Sequence, residues 1–287
     1  MPPNDLPPGF SFQEEIFSQS PETVDQVFDF VDPTSVAGLG KLRYIARPVK
    51  FVRRLYKVQG LSIKWFAVVV PDGLFLEPSP HVYFIPSPEQ GKADDGSYDQ
   101  FAGAWRSTLY VDYTKFVGAQ VANAREAQQV LVIPFYRNSQ RQNLGDFNQY
   151  WQPVITQLLT DAIFKKDVLI IRKNEVSFDS IYTSSFSNGW VTHQHFQQSG
   201  KSVADLTIKL FDLDGVQAGS SWAPAKSIIY KNRPPPGPSN PVGNTYFLDK
   251  RWGNIQSLTI RHSTINFHWM VNQFMLFHGL VTYARRG

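Results

Sequence analysis

The chain has 287 residues, 42% of them hydrophobic, with a net charge of +4 and no cysteine. At this length folding buries roughly 75% of the unfolded surface, so the core needs no disulfide or metal, and thiol chemistry and thiolate metal sites are excluded. The small positive charge, with Arg53-Arg54 and Arg285-Arg286 as its local clusters, is not the basic stripe interleaved with exposed aromatics of a nucleic-acid protein.

The opening MPPNDLPPGFSFQEE is proline-rich and acidic. It lacks the cationic and apolar blocks of a secretory signal, and no apolar run reaches the length of a membrane span, which predicts a soluble cytoplasmic protein. Residues 1–37, with a short helical pattern over Glu22 to Phe30, read as an arm, and residues 38–287 as one domain. The sheet is expected to start after Gly40, where LRYIARPVKFVRRLYKV and LSIKWFAVVVP flank Gln59-Gly60 as a hairpin.

HVYFIPSPEQG is a short apolar run cut off by prolines, as a buried strand is where it delivers a loop. A polar helix-like stretch from Asp112 to Gln128 leads into a second such run, QQVLVIPFYRN. Trp151, Val154, Ile155, Leu158, Leu159 and Ile163 then recur at three- and four-residue spacing, an amphipathic helix over 147–165. DVLIIRKNEV fits a helix end or a strand equally. LTIKLFDLDG, KSIIYKN and SLTIRH read as further strands, with the proline-rich loop RPPPGPSNPVG before the last, and HWMVNQFMLFHGLVTY as a closing helix. Alternating strands and helices predict an α/β fold with a mainly parallel central sheet flanked by helices on both faces.

Between a predicted strand and a predicted helix stands Ser185-Phe186-Ser187-Asn188-Gly189. A sharp strand-to-helix turn needs small residues two before and two after its central serine, and Ser185 and Gly189 meet that need. Here the chain resembles the α/β-hydrolase superfamily of serine esterases and lipases, whose nucleophile elbow is usually Gly-x-Ser-x-Gly. The resemblance implies Ser187 as nucleophile, followed in chain order by an acid and then a histidine.

Asp212 is the preferred acid, with Asp214 and Asp249 as alternatives; His268, in Phe267-His268-Trp269, is the preferred base, with His262 as the alternative. The oxyanion donors implied are the backbone N–H of Asn188 and, in the loop Ile85-Pro86-Ser87-Pro88-Glu89, Ser87 or Glu89. His193 and His195 fall too near the elbow helix for the base, and no metal-ligand spacing, phosphate loop or dinucleotide fingerprint occurs. The expected function is hydrolysis of a carboxylic ester, or acyl transfer, on a small acyl or lipid-like substrate without cofactor. A catalytically silent binding or assembly module of the same fold is the alternative.

Overall fold

The computed structural model describes residues 5–17, 22–24, 27–30, 42–45, 49–72, 78–86, 108–124, 128–164, 176–215, 227–231, 244–247 and 275–283. Among these, ten strands form one mixed sheet. Its order is β1 (Ser11–Phe17), β5 (Val49–Gln59), β6 (Trp65–Pro71), β8 (Gln129–Phe135), β7 (Ser79–Phe84), β9 (Ile181–Phe186), β10 (Thr207–Leu213), β11 (Ser227–Lys231) and β12 (Asn244–Phe247), with β2 (Glu22–Val24) also on β5. A separate pair joins β3 (Val27–Phe30) to β4 (Leu42–Ile45).

The sheet is α/β in character but parallel only in part, which corrects the expectation of a mainly parallel sheet. From β8 through β12 every pairing is parallel, whereas β1, β2, β5 and β6 pair antiparallel, and β6 also runs against β8. The β5–β6 part of this is the hairpin expected at Gln59-Gly60, closed by the short link at residues 60–64. So few residues can only return the chain as a hairpin, because a parallel neighbour needs a crossover of a dozen or more. Gly60 sits at φ +75 in this link, where a β-carbon would stand 2.7 Å from the backbone of Gly9 and Phe10.

The sheet also begins earlier than the sequence suggests. β1 pairs along β5 from Ser11↔Gln59 to Phe17↔Arg54, and Glu14 forms an ion pair with Arg54 at 2.5 Å. The helical pattern over Glu22 to Phe30 is instead β2 and β3. Thr23, Val24, Val27, Phe28 and Phe30 are β-branched or aromatic, and edge pairing suits such side chains better than a helix does. β12 was not expected next to the proline-rich loop. The strand expected at SLTIRH and nearly all of DVLIIRKNEV lie outside the described residues.

Side chains alternate across the sheet, and each face is covered. Phe66, Val68, Val70, Val82, Phe84, Val130 and Val132 share one core with helix α2 (Phe147–Phe164) and helix α3 (Gly189–Ser199). Helix α1 (Thr108–Asn123) covers the other face over β5, β6 and β8, beside helix α5 (Leu276–Tyr283). Gly118 lets α1 approach closely, since a β-carbon there would stand 2.9 Å from Val69 Cγ1. A short helix, α4 (Val203–Leu206), precedes β10. No described helix is long and apolar enough to cross a membrane.

At the centre of the first core Phe196 meets Phe84, Phe147 and Trp151 with ring centroids 5.3, 5.7 and 5.8 Å away. Trp151 also donates its indole N–H to Lys201 O at 2.8 Å. Trp151→Ala is expected to lower unfolding stability by about 3–5 kcal/mol, the range for emptying a large aromatic site. Urea unfolding would show it; an unchanged midpoint would mean that this cluster does not hold α2 and α3 to the sheet.

Candidate functional site

The strand order marks one place on the sheet edge. From β7 the chain runs through α1 to β8 on one side, and after α2 it resumes at β9 on the other. The carboxyl ends of β7 and β9 therefore flank the point where the winding reverses. In open α/β sheets that crevice is where ligands bind, because the loops leaving the two strands diverge there.

Ser187 lies at this point, between the last residue of β9 and the first of α3. Its φ is 52, a left-handed conformation that non-glycine residues avoid. Its N–H donates to Leu213 O at 3.0 Å, and its own carbonyl accepts the Trp190 N–H at 3.3 Å, so the turn is held to β10 on one side and opens into helix on the other. Observed backbone strain of this kind is a pointer to function.

Gly189 shows why the turn needs a small residue. A β-carbon there would lie 2.5 Å from Phe84 O and 2.8 Å from Ile85 O. The start of α3 thus rests directly on the exit of β7. That exit is fixed from its other side by the Tyr136 hydroxyl, which donates to Ile85 O. Asn188, φ −68, occupies the N-cap of α3.

The acids are arranged as follows. Asp212 is buried near the end of β10, in register with Ser185, and its Oδ1 accepts the Gly215 N–H at 2.8 Å. Gly215 is itself crowded by Asp212 Oδ1 and Trp190 Cβ. Asp214 takes φ 58 and donates its N–H to Tyr230 O at 2.7 Å. The structure thus brings Ser187, Asn188, Asp212 and Asp214 to one end of β9 and β10. His268, His262, Asp249, Ser87 and Glu89 lie outside the described residues. Among the described residues no group of three His, Cys, Asp or Glu side chains is arranged to hold a metal ion.

Solved structures similar to this chain include a thermostable esterase from Pseudomonas putida, at 9% identity and TM-score 0.27 over 71% of this chain and 47% of that one. A CE15 glucuronoyl esterase from Teredinibacter turnerae is similar at 12% identity and TM-score 0.29, over 74% of this chain and 46% of that one. The chain spans about half the length of these esterases. No family model and no curated protein matches it.

Two buried histidines adjoin the site, and the sequence reading missed both roles. His81, on β7, places Nε2 2.7 Å from Ser184 Oγ and Nδ1 2.6 Å from Gln129 Oε1, and its ring stacks on Phe211. His193, on α3, places Nδ1 3.0 Å from Ser185 Oγ, and its ring stacks on Phe84 at 5.4 Å. The signal lay in the sequence as polar residues on apolar elements: two adjacent serines late in β9, a histidine inside β7, and a glutamine opening β8. Burial pushes the His81 imidazole down to about 4, partly opposed by its Gln129 contact. His193 is lowered well below the usual imidazole range, first by burial and then by His81.

Two predictions follow from this geometry. Gly189→Ala forces a methyl group against two carbonyl oxygens of β7 and is expected to cost about 1–3 kcal/mol; urea unfolding as stable as the wild type would contradict the close approach. For the histidines, the folded imidazole of His81 stays neutral to about pH 4 while the unfolded one protonates near 6.5. Unfolding therefore takes up a proton below 6.5, and stability falls as pH falls through this window, at about 1.4 kcal/mol per pH unit for each such histidine. Urea midpoints at pH 7 and pH 5 measure it, and equal midpoints would exclude two buried neutral imidazoles.

Proposed function

We propose that the protein is an α/β-hydrolase-like serine hydrolase that cleaves a carboxylic ester, or a related acyl substrate, through an acyl-enzyme on Ser187. The observation that carries this reading is the left-handed Ser187 in a strand-to-helix turn at the winding reversal, with the helix seated on the neighbouring strand through Gly189. This is the structural context in which a small-x-Ser-x-Gly pattern acquires its chemical meaning. The sheet supports the same reading. From β5 onward its second strand runs against the others and its third and fourth exchange places, the order of the α/β-hydrolase sheet.

In this reaction Ser187 Oγ attacks the acyl carbon as a histidine removes its proton, since a serine hydroxyl is a weak nucleophile at its own pKa. His268 is the proposed base, with His262 the second candidate, and Asp212 the proposed acid ahead of Asp214 and Asp249. The backbone N–H of Asn188 stabilises the oxyanion from the start of α3, with Ser87 or Glu89 of the loop after β7 as the second donor. The tetrahedral intermediate then collapses and the ester's alcohol leaves with the proton held by the histidine. Water or another alcohol, deprotonated by the same histidine, attacks the acyl-enzyme, and the acid or new ester departs as Ser187 Oγ takes back that proton.

Labelling with a fluorescent fluorophosphonate tests the proposal. The wild type is expected to label and to hydrolyse p-nitrophenyl esters, and Ser187→Ala to lose both, with turnover down at least about 1000-fold. A folded wild type that neither labels nor turns over would sink the enzyme and favour a silent binding module.

A further inference from the structure

The last residues of β9 before the elbow carry adjacent hydroxyls, and each meets an imidazole on its own side of the sheet. On one face Ser184 Oγ contacts His81 Nε2, and His81 Nδ1 contacts Gln129 Oε1 at the start of β8. On the other face Ser185 Oγ contacts His193 Nδ1 on the second turn of α3. All five side chains are buried, with exposures of 0–1%. None can touch substrate, so none is a catalytic residue.

Their connections are nonetheless those that fix the elbow. His193 joins β9 to α3 by its hydrogen bond and to β7 by stacking on Phe84, the residue whose carbonyl supports Gly189. His81 joins β7 to β8 and β9 from the opposite face. We propose that Ser185–His193 and Ser184–His81–Gln129 form a two-sided brace that positions Ser187, and that Ser185 is present in place of the usual glycine because its hydroxyl is part of that brace. This rests on Ser187 being the nucleophile.

The hydrogen-bonding roles are consistent with neutral rings. The Gln129 carbonyl oxygen can only accept, so His81 Nδ1 carries the hydrogen and Nε2 accepts from the Ser184 hydroxyl. A buried pair like this is costly to leave half-made, since the remaining partner keeps its desolvation penalty. The elements it joins are therefore held in one arrangement rather than a range of them, which is what a preorganised nucleophile needs.

The test compares Ser185→Ala, Ser185→Gly, His193→Phe and the Ser185→Ala/His193→Phe pair with the wild type. The readouts are fluorophosphonate labelling over a range of probe concentrations and hydrogen exchange at the Ser187 and Asn188 amides. The brace predicts a maximal labelling rate about tenfold or more lower in each single variant, at unchanged half-saturation, with the double variant no slower than the slower single. Ser185→Gly, although it restores the common motif, is expected to slow labelling too. Wild-type rates in Ser185→Ala and Ser185→Gly would overturn the brace and leave the nucleophile intact. If the wild type does not label, the nucleophile reading fails, and exchange judges the brace alone: faster Ser187 exchange in Ser185→Ala at unchanged global stability supports it, and unchanged exchange overturns it.

Discussion

The seating of α3 on the exit of β7 depends on a side chain that is not there. With only hydrogen at Gly189, the first turn of the helix reaches the carbonyls of Phe84 and Ile85, and the residue two before it is driven into a left-handed turn. Interiors are packed as tightly as organic crystals, so no slack exists to absorb a methyl group. The position of Ser187 is thus a consequence of packing between backbones. It requires that β7, β9 and β10 already be registered, and their parallel pairings supply that registration.

Registration in turn rests on the two cores. The aromatic cluster of Phe84, Phe147, Trp151 and Phe196 fixes α2 and α3 against one face, while α1 covers the other over Val69 and Phe51. In the antiparallel half Tyr56 donates to Asp161 Oδ2 at 2.7 Å, tying β5 to α2, and burial followed by that carboxylate pushes its phenol pKa upward. Such ties keep the antiparallel half of the sheet in line with the parallel half. The two halves meet at β6–β8, where Val68 pairs with Val132 and both side chains enter the same core.

Where the sequence was legible, one physical signal dominated its segment. β7 and β8 are short apolar runs, and α2 has regular helical spacing, so each could be read in isolation. β2 and β3 could not. Three or four residues carry too little periodicity to separate strand from helix, and their pairing partners, on β5 and β4, are distant in sequence. The hairpin from β5 to β6 was legible at Gln59-Gly60, but the antiparallel pairing of β6 with β8 was hidden, because a strand's apolar pattern is the same whichever way its neighbour runs. Ser187 and Gly189 were legible since the turn's steric demand is local. His193 was set aside for being close to the elbow, yet closeness along a helix is what lets it reach back to Ser185 two strand residues before Ser187.

The polar groups inside β9 complete this picture. A central parallel strand is normally a near-continuous hydrophobic run, because both of its faces are covered. β9 instead carries Thr183, Ser184 and Ser185 in succession, all fully buried. Gln197 donates to Thr183 Oγ1 at 2.8 Å and to Thr207 Oγ1 at 3.0 Å, continuing along the same face as Ser185–His193. An apolar strand would pack as well and leave no desolvated group in need of a partner. Apolar contacts, however, tolerate small slips between a strand and a helix, whereas directed hydrogen bonds at 2.7–3.0 Å do not. The polar content of β9 therefore favours a single placement over maximal stability, and it is concentrated in the strand that delivers Ser187.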